Sequence, residues 1–284
     1  MNPTVSQHGA QATGRLAARF KTLRDQSRAA LIPFVTAGDP QPAATVAIMQ
    51  AMVAAGADII ELGIPFSDPM AEGPVIQRAS ERALAHHVSL RHVLQMVREF
   101  RQLDTDTPVV LMGYLNPIEV MGYQTFAHEA SQAGADGVIT VDLPPEEGLD
   151  YIAALRAEQL EPIFLLAPTS TEARMANICS QAGGFVYYVS LKGVTGAASL
   201  DVSAVADKVA QIRRHTDMPV GVGFGIKDAA SAAQVAQIAD AVVIGSALVR
   251  LVEDFGSDQS VLVAEITRFL GGVRTAMDNA KAKG

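Results

Sequence analysis

The sequence predicts an α/β protein, a (β/α)8 TIM barrel with an extra N-terminal helix. Three observations carry that expectation. Eight short aliphatic runs alternate with longer, alanine-rich segments of helical period. Several of those segments end in an Ala-Gly or Gly-Ala pair just before the next aliphatic run. The first run is followed by "TAGDPQP", which lacks the G-x-G-x-x-G turn of a dinucleotide-binding open sheet. A chain of 284 residues with no low-complexity break suits one such barrel. The expected division is a flexible tail over 1–12 and a single catalytic barrel domain over 13–284.

Leu16, Phe20 and Leu23 recur at helical spacing, so an amphipathic helix is expected before the first strand. Arg15, Arg19, Lys21 and Arg24 precede the first acid, Asp25, a bias shared with transit peptides. The helical spacing and the direct run into a strand favour a helix that caps the barrel. Strands follow at 30–35, 57–62, 108–112, 136–141, 162–167, 185–190, 218–224 and 240–246. Their continuous apolar character fits parallel strands covered on both faces. Helices are expected over 42–57, 90–103, 123–135, 148–159, 171–183, 203–216, 228–239 and 259–279. Gly56, Gly134 and Gly183 stand where a left-handed residue closes a helix.

Composition narrows the function classes. With 49% hydrophobic and 18% charged residues, the chain can bury a substantial core. A formal net charge of −8 gives no long-range pull toward nucleic acid or an anionic membrane. No apolar run reaches the roughly 20 residues needed to span a bilayer. One cysteine, Cys179, rules out an intrachain disulfide and a cysteine-based metal site, and it reads as a small buried hydrophobe. A cytoplasmic, reducing setting is expected.

In a barrel, chemistry gathers at the C-terminal strand ends and the loops after them. That rule selects Phe34, Glu61, Tyr114, Asn116, Asp142, Tyr187 and the turns at 193–196, 223–225 and 245–246. Glu61 is the sharpest candidate. It follows Ile59 and Ile60, so its carboxylate falls at the barrel mouth, where burial raises a carboxyl pKa. A salt-bridged or solvated strand-end acid is the plainer reading. Glu72 lies in a Pro- and Gly-rich loop long enough to fold over the mouth; by spacing alone it also reads as a solvated loop acid. Asp68 opens a turn or joins the site. Asp142 caps a helix or joins the site.

Glycine-rich turns after the sixth, seventh and eighth strands offer backbone N–H groups to an anion, and Gly245-Ser246 precede an apolar helix. The last two stand where barrels commonly hold phosphate. His86, His87 and His92 fall between helices without strand-end placement, so no metal site is expected. Lys192 is the lysine nearest a strand end, but outside the barrel wall. Tyr187 and Tyr188 point to opposite faces, so one of them faces the barrel interior.

"PFVTAGDP" (33–40), "ELGIPFSDPMAEGPVIQ" (61–77), "MGYLNPI" (112–118), "VDLP" (141–144), "SLKGVTG" (190–196), "GFGI" (223–226) and "GSALV" (245–249) together resemble the tryptophan synthase alpha chain. The motifs run in order from about residue 14 to the C-terminus. The resemblance implies a lyase that cleaves indole-3-glycerol phosphate to indole and glyceraldehyde 3-phosphate, with no cofactor in this chain. It also implies a pyridoxal-phosphate beta chain as partner, in an α2β2 assembly with an indole tunnel. Carried over by position, Glu61 matches the acid–base glutamate and Glu72 the second catalytic acid, usually an aspartate. Phe34, Tyr187 and the strand-four region match the indole pocket, and Tyr114 is counted with the substrate-binding residues. Gly196, Phe224, Gly225, Gly245 and Ser246 match the phosphate site, and Thr195 the mobile loop that closes toward position 72. Pro65 and Asp68 match the loop that contacts the beta chain. Leu191 stands where a basic residue is common. Two other readings remain: a barrel acting on a different sugar phosphate, and a non-catalytic activator of a beta chain.

Overall fold

Eight parallel strands close into a barrel in sequence order, the last pairing back onto the first. The structure, a computed structural model, describes residues 14–190, 201–223 and 225–281. In chain order the elements are α1 (Arg15–Asp25), β1 (Ala30–Thr36), a 3-10 turn (Pro42–Ala44), α2 (Thr45–Ala54), β2 (Ile60–Gly63), α3 (Pro74–Ala85) and α4 (Leu90–Arg101). Next come β3 (Val109–Gly113), α5 (Leu115–Met121), α6 (Tyr123–Ala133), β4 (Gly137–Thr140), α7 (Leu149–Ala157), β5 (Glu161–Leu166), α8 (Glu172–Gln181) and β6 (Val186–Val189). The order ends with α9 (Val202–Ile212), β7 (Val220–Gly223), α10 (Ala229–Ala236), β8 (Ala241–Ile244), α11 (Ser246–Phe255) and α12 (Gln259–Lys281).

Alternation along each strand sorts residues between two cores. Ala30, Ile32, Ile59, Val110, Ile139, Ile163, Phe185, Tyr187 and Val243 fill the barrel interior. Leu31, Ile60, Leu62, Leu111, Val138 and Val222 face the helices. The amphipathic stripe of α1 packs on the interior set through Leu16, Phe20 and Leu23, with the Phe20 and Phe185 rings 5.7 Å apart. The extra helix therefore closes the N-terminal end and leaves the C-terminal mouth free for chemistry. Aspartates at the strand starts fix the register. Asp58, Asp136 and Asp240 accept from the backbone N–H groups of Leu31, Val109 and Val220 on neighbouring strands, at 2.9, 2.8 and 2.9 Å. Arg274 of α12 reaches Asp58 at 3.1 Å, and Arg101 of α4 reaches Asp136 at 2.9 Å.

Three local outcomes differ from the sequence expectation. Gly134 is the left-handed cap of α6, but after α8 the positive φ belongs to Gly184, not Gly183. Helices α3 and α5 were absent from the expected set because Pro74 and Pro117 look like loop punctuation. Both stand in the first turn of their helix, where a missing N–H costs nothing. His92 lies inside α4 as a capping-box partner of Ser89, while His86 contacts the Pro40 carbonyl at 3.1 Å.

Candidate active site

Glu61 is the second residue of β2, paired with Phe34 on β1 and Val110 on β3. It points inward at the mouth and is only 2% exposed. Its Oε2 has no hydrogen-bond partner among the described residues. A carboxyl so placed resists ionisation. Burial first, then the Glu72 carboxylate, raise it to about 8. The apolar wall is built closely: the Phe34 ring lies over Gly63, where a Cβ would come within 2.7 Å of it. Val75, Ile76, Ala79 and Val249 pack behind Phe34.

Glu72 ends the loop between β2 and α3. It is 8% exposed, so it is not a solvated loop acid, and burial raises it to about 7. Its charge is felt by Glu61, Tyr114 and Tyr187, so the carboxylate returns to the mouth. The Glu72 carbonyl accepts from Gln77 Nε2 at 2.9 Å, which fixes the hand-over from loop to helix. Helix α3 is in turn held to its surroundings by paired charges. Arg82 forks onto Asp39 at 2.7 and 2.9 Å, and Arg78 onto Glu253 of α11 at 2.6 and 2.9 Å.

Tyr187 is the inward member of the tyrosine pair; Tyr188 joins the outer core. Burial, then the charges of Glu61 and Glu72, push its phenol well above the usual range, so it stays neutral beside the two carboxyls. Tyr114, just after β3, is buried, and burial pushes its phenol up to about 12. Asp142 accepts from Leu115 N–H at 2.8 Å, so it caps α5 from the end of the neighbouring strand β4, not the helix that follows it.

Gly245 precedes α11 and Ser246 is its first, exposed residue; Gly225 is exposed with φ +79°. These three gather at the rim after β7 and β8. Thr195, Gly196 and Phe224 lie outside the described residues, as do Leu191 and Lys192. Asp68 is exposed, whereas Pro65 is buried. Met70, 85% exposed, and Val120, 83% exposed, are the outward apolar residues of the same sector. Sequence reasoning missed Thr36, a buried hydroxyl with no partner among the described residues, and Met112, which touches both the interior and the Phe34 cluster. The period of two was a sufficient signal for both: each lies two residues beyond an inward position of its strand.

A parallel barrel whose mouth holds two buried carboxyls with raised pKa values belongs to the class of TIM-barrel acid–base enzymes. Comparison with known proteins gives the particular family. A sequence model of the tryptophan synthase alpha chain matches residues 20–278. The tryptophan synthase alpha chain of Thioalkalivibrio sulfidiphilus is 64% identical over 264 residues, covering 93% of this chain and 99% of that protein. That of Nitrosococcus oceani is 58% identical, covering 93% and 97%. The crystal structure of tryptophan synthase subunit alpha from Legionella pneumophila superposes with a TM-score of 0.89 at 46% identity, over 94% of this chain and 100% of that one. A Mycobacterium tuberculosis tryptophan synthase chain gives 0.85 at 39% identity, over 93% and 98%. The chain belongs to the tryptophan synthase alpha chain family. Membership implies a beta-chain partner. Among the described residues no helix is long and apolar enough to cross a membrane, and no three His, Cys, Asp or Glu side chains gather as a metal site.

Proposed function

We propose that the chain cleaves indole-3-glycerol phosphate to indole and glyceraldehyde 3-phosphate, with Glu61 and Glu72 as its catalytic pair. The observation that carries this reading is the pair itself: two buried carboxyls at one mouth, raised to about 8 and about 7. Protonated Glu61 donates to C3 of the indole ring and becomes a carboxylate. The ring, now an indolenine, accepts the electrons of the breaking C–C bond and is restored as indole. Glu61 takes the proton of the adjacent glycerol hydroxyl, which becomes the aldehyde carbonyl. Ionised Glu72 accepts a hydrogen bond from the indole N–H and stabilises the positive charge that develops there. Phe34 and Tyr187 flank the ring. Gly225, Gly245 and Ser246, with Gly196 and Phe224, hold the phosphate and so orient the glycerol chain.

The partner is a beta chain carrying pyridoxal phosphate, in an α2β2 assembly in the cytoplasm. Exposed Met70, Val120 and Asp68 form the sector that meets it, since large apolar side chains open to water mark interaction surfaces. Release of indole from indole-3-glycerol phosphate, measured with and without beta chain, tests the whole proposal. No release in either case sinks it, and stimulation of a beta chain without cleavage would leave only an activator.

The working state holds one proton across the pair, on Glu61 and not on Glu72. kcat/KM is therefore expected to rise as Glu72 ionises near pH 7 and to fall as Glu61 deprotonates near pH 8. A profile measured from pH 5.5 to 9.5 checks this; a flat one contradicts the assignment. Glu72→Asp restores the residue usual in the family. Aspartate keeps the carboxylate on the same backbone position, one methylene further back, so a change of less than about tenfold in kcat is expected. A larger loss would show that the extra methylene is required.

A further inference from the structure

Resting on the reading of Glu72 as a catalytic acid, we propose that Tyr114 is a positioning residue that holds the 64–73 loop so that Glu72 reaches the mouth. One side chain grips the loop twice. Its phenol oxygen accepts at 3.0 Å from the N–H of Ala71, the residue before Glu72. Its ring stacks on Phe66, with centroids 5.0 Å apart and planes at 24°. Phe66 and Ala71 bracket the segment, so both ends of it are tied to one point.

Where the loop leaves β2, Ile64 N–H donates to the Met112 carbonyl of β3 at 2.7 Å. Beyond that point, among the described residues, the hydrogen bonds of 65–72 that do not involve Tyr114 are local. Met70 N–H donates to the Asp68 carbonyl at 2.7 Å, and Glu72 N–H to the Pro69 carbonyl at 3.0 Å. Ser67 bonds its neighbour Asp68, and Gln77 takes the Glu72 carbonyl from the following helix. Tyr114 alone in this set reaches the loop from another strand. It is a sound anchor: buried, at the end of β3, and at the start of α5, whose first N–H is capped by Asp142. Side chains on rigid elements hold a site more narrowly than loops do. Because Tyr114 grips backbone and not the carboxylate, its effect on the reaction passes through Glu72.

That route has a signature a merely structural role lacks. Tyr114→Phe keeps the ring stack and removes the phenol oxygen. It should lower kcat about fivefold to tenfold, the share of one hydrogen bond, with KM changed less than about twofold. In a Glu72→Ala background, measured by single turnover with enzyme in excess, the same substitution should cost less than about twofold, because the carboxylate it positions is gone. Amide hydrogen exchange over 65–73 should quicken in Tyr114→Phe. Equal losses in both backgrounds, a raised KM at unchanged kcat, or unchanged exchange would each overturn the proposal. The exchange measurement needs no turnover. Failure of the tether is thus distinct from failure of the proposed activity, which wild-type indole release reports alone.

Discussion

Glu61→Gln is expected to abolish indole release while leaving the protein folded and able to stimulate a beta chain. Glutamine keeps the shape of the side chain but can neither donate an acidic proton nor take one back. Both proton transfers of the proposed reaction use this one carboxyl. A positioned acid or base contributes typically about 10²–10⁴-fold, so a variant lacking both functions should fall at least about 10³-fold. The docking sector is untouched, since Met70 and Val120 face outward while Glu61 lies inside the mouth. Turnover within tenfold of wild type would remove Glu61 from the mechanism. Stability supplies a second readout, with a definite sign. The folded carboxyl titrates near 8 against an ordinary 4.5, so between those values the native state holds a proton that the unfolded chain has lost. Native stability therefore falls as pH rises through that window, by a total of about 4–5 kcal/mol for this group, and levels off above it. Glutamine has no such penalty. Thermal unfolding should show the variant gaining on wild type from pH 5 to pH 8.5; a constant gap would mean that Glu61 is not held neutral.

The barrel was legible because its signals are local and repeated. Doubly apolar strands, helix-ending glycines and the Leu16, Phe20, Leu23 stripe each follow from backbone geometry, and the eight strands fall within a few residues of expectation. Glu61 was legible for the same reason: the period of a strand carries its side chain inward two residues after Ile59. Glu72 was not. An acid amid Pro69, Gly73 and Pro74 looks solvated, and only tertiary contacts bury it. These are the Tyr114 grip on Ala71 and the packing of α3, whose starting proline disguised it. Asp142 was half legible. Its capping role could be read, but the helix it caps precedes it by a whole strand, and sequence order does not reveal that.

Glu72→Ala is the second large effect, with an expected loss in kcat of about 10²–10³-fold and a smaller change in KM. The carboxylate contributes mainly where charge develops, at the indole nitrogen of the protonated ring, so its loss weighs on the transition state more than on substrate binding. The residual activity should carry a changed pH dependence. Wild type rises near pH 7 because Glu72 must ionise; without it that limb has no source and should vanish. Glu61 should also respond. Part of its displacement to about 8 comes from the Glu72 charge, so removing that charge lowers its pKa. The falling limb then moves toward lower pH, and the variant loses its acid form of Glu61 sooner than wild type does. Single-turnover indole release across pH 5.5–9.5 reads both limbs. Near-normal turnover would mean Glu72 has no catalytic share. A falling limb that stays in place would mean that Glu61 owes its raised pKa to burial alone, with the two carboxyls acting independently.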